Sequence, residues 1–178
     1  MRVNDMNYIE ELRKKGNIKR RIIFAIIILI TFLLQTTRGF FPAPFGIHAC
    51  ILVPATVCIA MFEREFSGLF FGLAAGMMLE TVSPDSVCFY SVCFTLIGFI
   101  TGMLITYLMR NNLVTAMIFS FVFSLLLNSF YYLFFCVIEG NTISFLFYLK
   151  YYFVSALYTT IFTPLFYILV RGIVKKNK

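Results

Sequence analysis

The chain has 178 residues, of which 61% are hydrophobic and 13% charged, and its mean hydropathy is +0.91. Soluble domains are roughly 45–50% apolar and 25% charged, so this composition excludes an ordinary soluble domain and indicates an all-α polytopic membrane protein. The formal net charge is +7, but no soluble module or basic–aromatic pattern accompanies it, so we do not expect nucleic-acid binding.

The first predicted element is a basic segment, residues 1–20, which leads into an apolar run over residues 21–37. A signal peptide shows the same order, but no small-x-small cleavage site follows this run. We therefore predict an uncleaved first helix. We predict that the basic segment mainly sets the topology of the chain; the alternatives are contact with anionic membrane lipid, at about 1 kcal/mol per charge near the surface, and contact with an acidic partner.

Six apolar runs separated by polar breaks predict six transmembrane helices in one compact bundle, residues 21–171. A straight spanning helix needs about 20 residues, and the second and third runs are shorter than that. Two short or tilted spans fit them, and so does a re-entrant pair; we prefer two spans, with five helices in total as the fallback. The six predicted helices cover residues 21–37, 47–62, 67–81, 87–109, 113–138 and 145–170.

Lysine and arginine are unevenly distributed across these spans. With six helices, thirteen of the fifteen basic residues lie on the side of the N-terminus, and only Arg38 and Lys150 lie on the other. Cytoplasmic loops carry an excess of Lys and Arg. We therefore predict that both termini, the segment 1–20 and the basic tail 172–178, are cytoplasmic.

Small residues four apart recur in the third and fourth predicted helices, and in the third the next step of four reaches Glu80. Such residues line one helix face, and in lipid they let two backbones approach closely. One interpretation is a contact between helices three and four, and the other is a groove reserved for the helix of a partner. The glycines concerned are Gly68, Gly72 and Gly76 in the third helix, and Gly98 and Gly102 in the fourth.

Three charged residues are predicted at the outer end of the bundle. Glu80 ends the third helix, Asp85 follows in the next short loop, and Arg38 lies at the outer end of the first helix. A carboxylate buried in the bilayer is costly and usually functional, whereas one at the interface can hydrate. We hypothesise that Arg38 pairs with Glu80 or Asp85 at the outer surface.

Two prolines and one polar stripe interrupt the apolar runs. Pro54 and Pro164 each lack a backbone donor, so we expect kinks in the second and sixth predicted helices. Asn128, with serines around it, gives the fifth helix a polar stripe. We assign that stripe to hydrogen bonds between helices rather than to a transport pathway.

No residue pattern predicts catalysis, a cofactor or a metal ion. The five cysteines include no C-x-x-C pair, and His48 is the one histidine. No Ser/His/Asp set or phosphate-binding glycine loop is present, and intramembrane carboxylates do not form the array that a proton-coupled pump needs. We therefore do not expect an enzyme.

Two motifs resemble the rod shape-determining protein MreD family. The first is Leu33–Leu34–Gln35 at the end of helix one, followed by a short turn with Gly and Pro; the second is Gly72-x-x-x-Gly76-x-x-x-acid, ending at Glu80. Chain length, basic N-terminus and number of spans match as well, so the resemblance covers nearly the whole chain. This chain departs from the family pattern at three places. It has Glu80 where the family usually has Asp, Cys88 where Gly is common, and Ile47–His48 where Pro-Asp often begins helix two.

The resemblance implies a non-catalytic scaffold subunit of the cell-wall elongation complex, in the bacterial cytoplasmic membrane, acting in cell shape and lateral peptidoglycan synthesis. The implied partners are the bitopic protein MreC first, then MreB, RodA and its transpeptidase. We expect MreC at the glycine-faced helix three and the Glu80 loop.

The family is also similar in fold to the substrate-binding S components of energy-coupling-factor vitamin transporters, which supply the alternative function. S components dock on their transport subunit through an A-x-x-x-A pattern in helix one, where this chain has only Ala25. We therefore do not expect a small-molecule ligand.

Overall fold

The computed structural model describes residues 3–37, 50–63, 65–83, 88–108, 111–137 and 145–176. These residues are almost all helical and contain no strand, which confirms the predicted all-α fold class. The helices are α1 (Val3–Thr36), α2 (Leu52–Phe62), α3 (Glu65–Glu80), α4 (Phe89–Tyr107), α5 (Leu113–Tyr131, continued by a π-helical turn, Tyr132–Val137), α6 (Phe145–Ile161) and α7 (Thr163–Lys176).

Three segments of the described chain are long and apolar enough to cross a membrane: Phe89–Tyr107, Leu113–Phe134 and Phe153–Lys175. The helix α2 is apolar but has only 11 residues. The fold is therefore that of a helical membrane bundle, and the count of six spans stays a prediction.

The helix α2 lies at the centre of the bundle. Every residue from Ile51 to Met61 is buried, and α2 contacts each of the other α-helices. A helix that is apolar all round is expected in such a position. It begins at Leu52, five residues later than predicted. Pro54 therefore lies in the first turn, where its missing N–H needs no partner, and it causes no kink.

The helix α1 begins at Val3 and has 34 residues. The basic segment 1–20 was predicted as a separate region before a helix starting at residue 21, but from Val3 onward it belongs to the same helix. A helix of this length extends about 51 Å, which exceeds the hydrocarbon thickness of about 30 Å. The helix α1 is therefore longer than a membrane span requires.

The predicted sixth helix is divided in the structure. The helix α6 ends at Ile161 and α7 begins at Thr163, one residue before Pro164. A proline inside a helix removes one hydrogen bond and its ring clashes with the carbonyl four residues earlier. The N–H of Phe162 instead bonds the carbonyl of Thr159 at 3.2 Å. The expected interruption at Pro164 is therefore present.

Candidate functional site: the two polar ends of the bundle

The glycine face of α3 packs directly on the backbone of α4. A Cβ atom added at Gly72 would lie 2.3 Å from the carbonyl oxygen of Phe94, and one added at Gly68 would lie 2.7 Å from that of Gly98. At Gly76 the nearest atoms, in Tyr90 and its neighbour, lie at 2.6 Å. No methyl group fits at these distances, and the two antiparallel helices are in backbone contact over about two turns, from Gly68 to Gly76.

This contact bears on both interpretations of the glycine spacing. Gly98 faces Gly68 from the opposite helix, and a Cβ at Gly98 would lie 2.2 Å from the Gly68 carbonyl oxygen. Gly102 is also buried in α4. The close neighbour of α3 is therefore α4 of the same chain, and a partner has to contact another surface.

Glu80, the last residue of α3, is held by the first turn of α4. Its Oε2 accepts hydrogen bonds from the backbone N–H of Ser91, at 3.3 Å, and from the Ser91 hydroxyl. Its Oε1 is buried and has no hydrogen-bond partner among the described residues. Arg38 and Asp85 lie outside those residues, so the hypothesised ion pair stays a prediction. Ser91 as a partner was missed, because the sequence does not show which turn of α4 faces Glu80.

A polar cavity lies close to Glu80, between the ends of five helices. Its volume is about 220 Å³, and Gln35, Cys50, Ser83, Tyr90 and Asn128 contribute its polar lining. The Nδ2 atom of Asn128 is buried without a hydrogen-bond partner among the described residues. The cavity therefore offers an unused donor, although we predicted that Asn128 would bond between helices.

Gln35 has a structural role at the same end of the bundle. Its side-chain oxygen accepts a hydrogen bond from the N–H of Leu52, at 3.0 Å, and its Nε2 lies 3.8 Å from the sulfur of Cys50. The first N–H groups of any helix lack partners within that helix. The last turn of α1 thus caps the start of α2. We call this end of the molecule, with Gln35, Glu80 and Asn128, the Glu80 end.

The opposite end of the bundle holds a buried ion pair. Arg20 Nε in α1 lies 2.8 Å from Glu63 Oε1 at the end of α2, and their side chains are 24% and 4% exposed. It is the one ion pair among the side chains that the structure describes, which in α1 begin at Lys19. The neighbouring Arg21 donates from Nη2 to the hydroxyl of Ser67 at 3.2 Å. We call this the Arg20 end.

The end of α2 is also held from the far side of the bundle. The Nδ2 of Asn111 donates to the carbonyl of Met61 at 3.0 Å, and the hydroxyl of Tyr167 donates to the carbonyl of Asn111 at 3.3 Å. The rings of Phe62 and Tyr167 lie 5.5 Å apart. In the sequence this cluster lies at Glu63–Arg64–Glu65, the polar break between the second and third predicted helices, for which we predicted only a tight turn.

Within the described ranges, no three His, Cys, Asp or Glu side chains meet as they would around a metal ion. No protein-family model matches this chain, and neither a curated protein nor a solved structure matches it. The resemblance to the MreD family therefore stays a prediction that rests on the residues named above.

Proposed function

We propose that this protein is a non-catalytic scaffold subunit of the bacterial cell-wall elongation complex and binds a bitopic partner of the MreC type. In this proposal it lies in the cytoplasmic membrane with both termini in the cytoplasm. The Arg20 end then faces the cytoplasm and the Glu80 end faces outward. MreB, RodA and its transpeptidase belong to the wider complex.

The observation that carries the proposal is the way in which α3 and α4 present Glu80. Their backbones are in contact over about two turns through Gly68, Gly72 and Gly76, which gives a stiff hairpin. At its tip Ser91 fixes one carboxylate oxygen and leaves Glu80 Oε1 without a partner among the described residues. In the free chain this oxygen is buried without a donor, at a cost of about 1–3 kcal/mol, and a donor that another chain brings to it at the end of this rigid element would remove that cost.

The site of contact differs from the one expected at first. Because α4 covers the glycine face, the partner contacts the Glu80 end and the outer face of the hairpin. That face carries exposed apolar side chains, among them Phe66, Phe70 and Met77 on α3. In lipid, such side chains need no protein partner, so the polar tip carries the specificity.

The proposal is tested by co-purification with MreC in mild detergent. We expect the unaltered protein to retain MreC and Glu80→Gln to retain less of it, because the one oxygen of glutamine stays bonded to Ser91 and an NH2 donor then takes the place of the acceptor Oε1. Glu65→Gln is the matched control, since Glu65 begins the same helix at the Arg20 end. Equal recovery of MreC with both variants would reject Glu80 as the contact.

A second candidate function is the substrate-binding S component of a vitamin transporter. The cavity of about 220 Å³ at the Glu80 end favours it, since Gln35, Ser83 and Tyr90 contribute polar groups to its wall and Asn128 has an unused donor. This function predicts a small molecule that co-purifies with the protein. Detection of a bound vitamin by mass spectrometry, together with no recovery of MreC, would reject the scaffold function and support the transporter function.

A further inference from the structure

A second cavity lies at the Arg20 end, on the side away from the ion pair. It has a volume of about 430 Å³ and lies between the end of α2, the start of α5 and α7. Small-ligand pockets in proteins measure roughly 300–1,000 Å³. Asn111, Asn112, Tyr167 and Arg171 supply its polar wall, and Phe62 is one of its apolar residues.

The charge in this cavity is positive. Arg171 is exposed and lines it, and no acidic side chain of the described residues pairs with it. The side chain of Asn112 makes no capping hydrogen bond at the start of α5, so its amide is also available. A guanidinium beside an amide donor matches the geometry of a phosphate group.

Asn111 adds a group of the opposite character. Its Nδ2 is occupied by the carbonyl of Met61, but its Oδ1 is buried and has no hydrogen-bond partner in the described part of the chain. A buried acceptor without a donor is unfavourable, so a ligand that donates a hydrogen bond to it is stabilised. The cavity therefore combines a site for an anion with a site for a hydrogen-bond donor, and it suits a ligand that carries both.

The position of the cavity indicates that its ligand comes from the membrane. Leu113, which lines it, is the first residue of one candidate span, and Arg171 lies one helical turn before Lys175, the last residue of another. The ends of transmembrane helices lie at the depth of lipid head groups. A phospholipid is therefore in place to fill the cavity without leaving the bilayer.

We propose that this cavity binds the phosphoethanolamine head group of a phospholipid, with the phosphate at Arg171 and Asn112 and the ammonium group at Asn111 Oδ1. The proposal does not depend on partner binding or on vitamin transport. The ammonium group is what makes it specific, since the quaternary nitrogen of phosphocholine carries the same charge and has no N–H to donate.

The test is native mass spectrometry of the full chain released from nanodiscs that contain phosphatidylethanolamine or phosphatidylcholine with identical acyl chains. We expect one ethanolamine lipid to be retained per chain, and the choline lipid to be retained several-fold less. This comparison uses the unaltered protein, so it does not depend on the folding of any variant. Equal retention of both lipids would overturn the proposal.

A pair of variants then tests whether the lipid binds at Arg171. Arg171→Ala should lower the retained ethanolamine lipid about tenfold, the effect of one charge-assisted hydrogen bond. Lys175→Ala is the matched control, because Lys175 is a basic, exposed residue one turn along α7 that does not line the cavity. Equal losses from the two variants would show a non-specific charge effect and would contradict the proposal.

A final competition experiment distinguishes a lipid from a soluble ligand. Soluble phosphoethanolamine added to the lipid-loaded protein should leave the bound lipid in place, because the acyl chains hold it in the bilayer. Release of the lipid by phosphoethanolamine, but not by inorganic phosphate, would assign the cavity to a soluble compound and reject the lipid.

Discussion

The two ends of the bundle use a carboxylate in different ways. At the Arg20 end, Glu63 is almost completely buried and forms an ion pair with Arg20 at 2.8 Å. At the Glu80 end, Ser91 satisfies one carboxylate oxygen of Glu80, and the other has no partner among the described residues.

The difference follows from the length of the central helix. Because α2 has only 11 residues, its end lies inside the bundle, and a charge there needs a partner within the chain. Glu80 lies instead at the tip of a hairpin, where the serine of the next helix orients it. One carboxylate is therefore paired within the bundle, while the other is the one that we propose for recognition.

The strongest test of this comparison is to break the ion pair. Arg20→Met should destabilise the bundle by about 3 kcal/mol, because it leaves Glu63 buried without a counter-charge. Since the chain has no Trp, unfolding is best followed with a thiol-reactive dye that labels the buried Cys58 on melting, in a Cys88→Ser background because Cys88 is exposed in the folded chain. The double variant Arg20→Met/Glu63→Met should recover most of the loss. A double variant as unstable as Arg20→Met would contradict the account of the pair.

The hairpin that carries Glu80 is tested next, through its glycines. Gly72→Ala places a methyl group 2.3 Å from the Phe94 carbonyl oxygen, so the helices must separate. We expect a net loss of about 2 kcal/mol. Gly172→Ala is the control, because a Cβ there meets nothing within 4 Å. A melting temperature unchanged by Gly72→Ala would show that the α3–α4 contact is looser than described.

A smaller effect is expected from the cap on the central helix. Gln35→Ala removes the acceptor for the N–H of Leu52, and the loss of a helix cap costs about 1 kcal/mol. Gln35→Glu keeps an acceptor at this position and serves as the control. If both variants had the same melting temperature, well below that of the unaltered protein, loss of the hydrogen bond to Leu52 would not explain the loss of stability.

The smallest effect on stability is expected at Glu80 itself. Glu80→Gln keeps an oxygen that accepts from Ser91, so the free energy of unfolding should change by less than about 1 kcal/mol. Arg20→Met and Glu80→Gln, melted side by side, sharpen the comparison between the two ends. A large loss from Glu80→Gln would mean that this carboxylate also serves the fold.

Helix positions and close packing could largely be predicted from the sequence, because apolar runs and small residues at steps of four carry that information. Gly68, Gly72 and Gly76 were predicted as a packing face, and α4 was one of the two neighbours proposed for them. The predicted starts of α1 and α2 were wrong. The start of α2 depends on tertiary contacts, since the Gln35 cap and the buried surroundings fix where this helix begins.

The polar contacts could not be predicted, since they pair residues far apart in the chain. Arg20 and Glu63 are separated by 43 positions, and each belonged to a segment that we assigned to topology or to a turn. Nothing in a single sequence indicates which turn of α4 faces Glu80, or that Asn111 and Arg171 line the same cavity. These relations follow from the way the helices pack.

The central claim, that a partner chain meets the Glu80 end, is tested most directly by photo-crosslinking in cells. A photoreactive amino acid is placed at Val82, 49% exposed at the Glu80 end, or at Leu108, 73% exposed at the Arg20 end. The account predicts a crosslink to MreC from Val82 and none from Leu108. A crosslink from Leu108 alone, or none from either position, would contradict it.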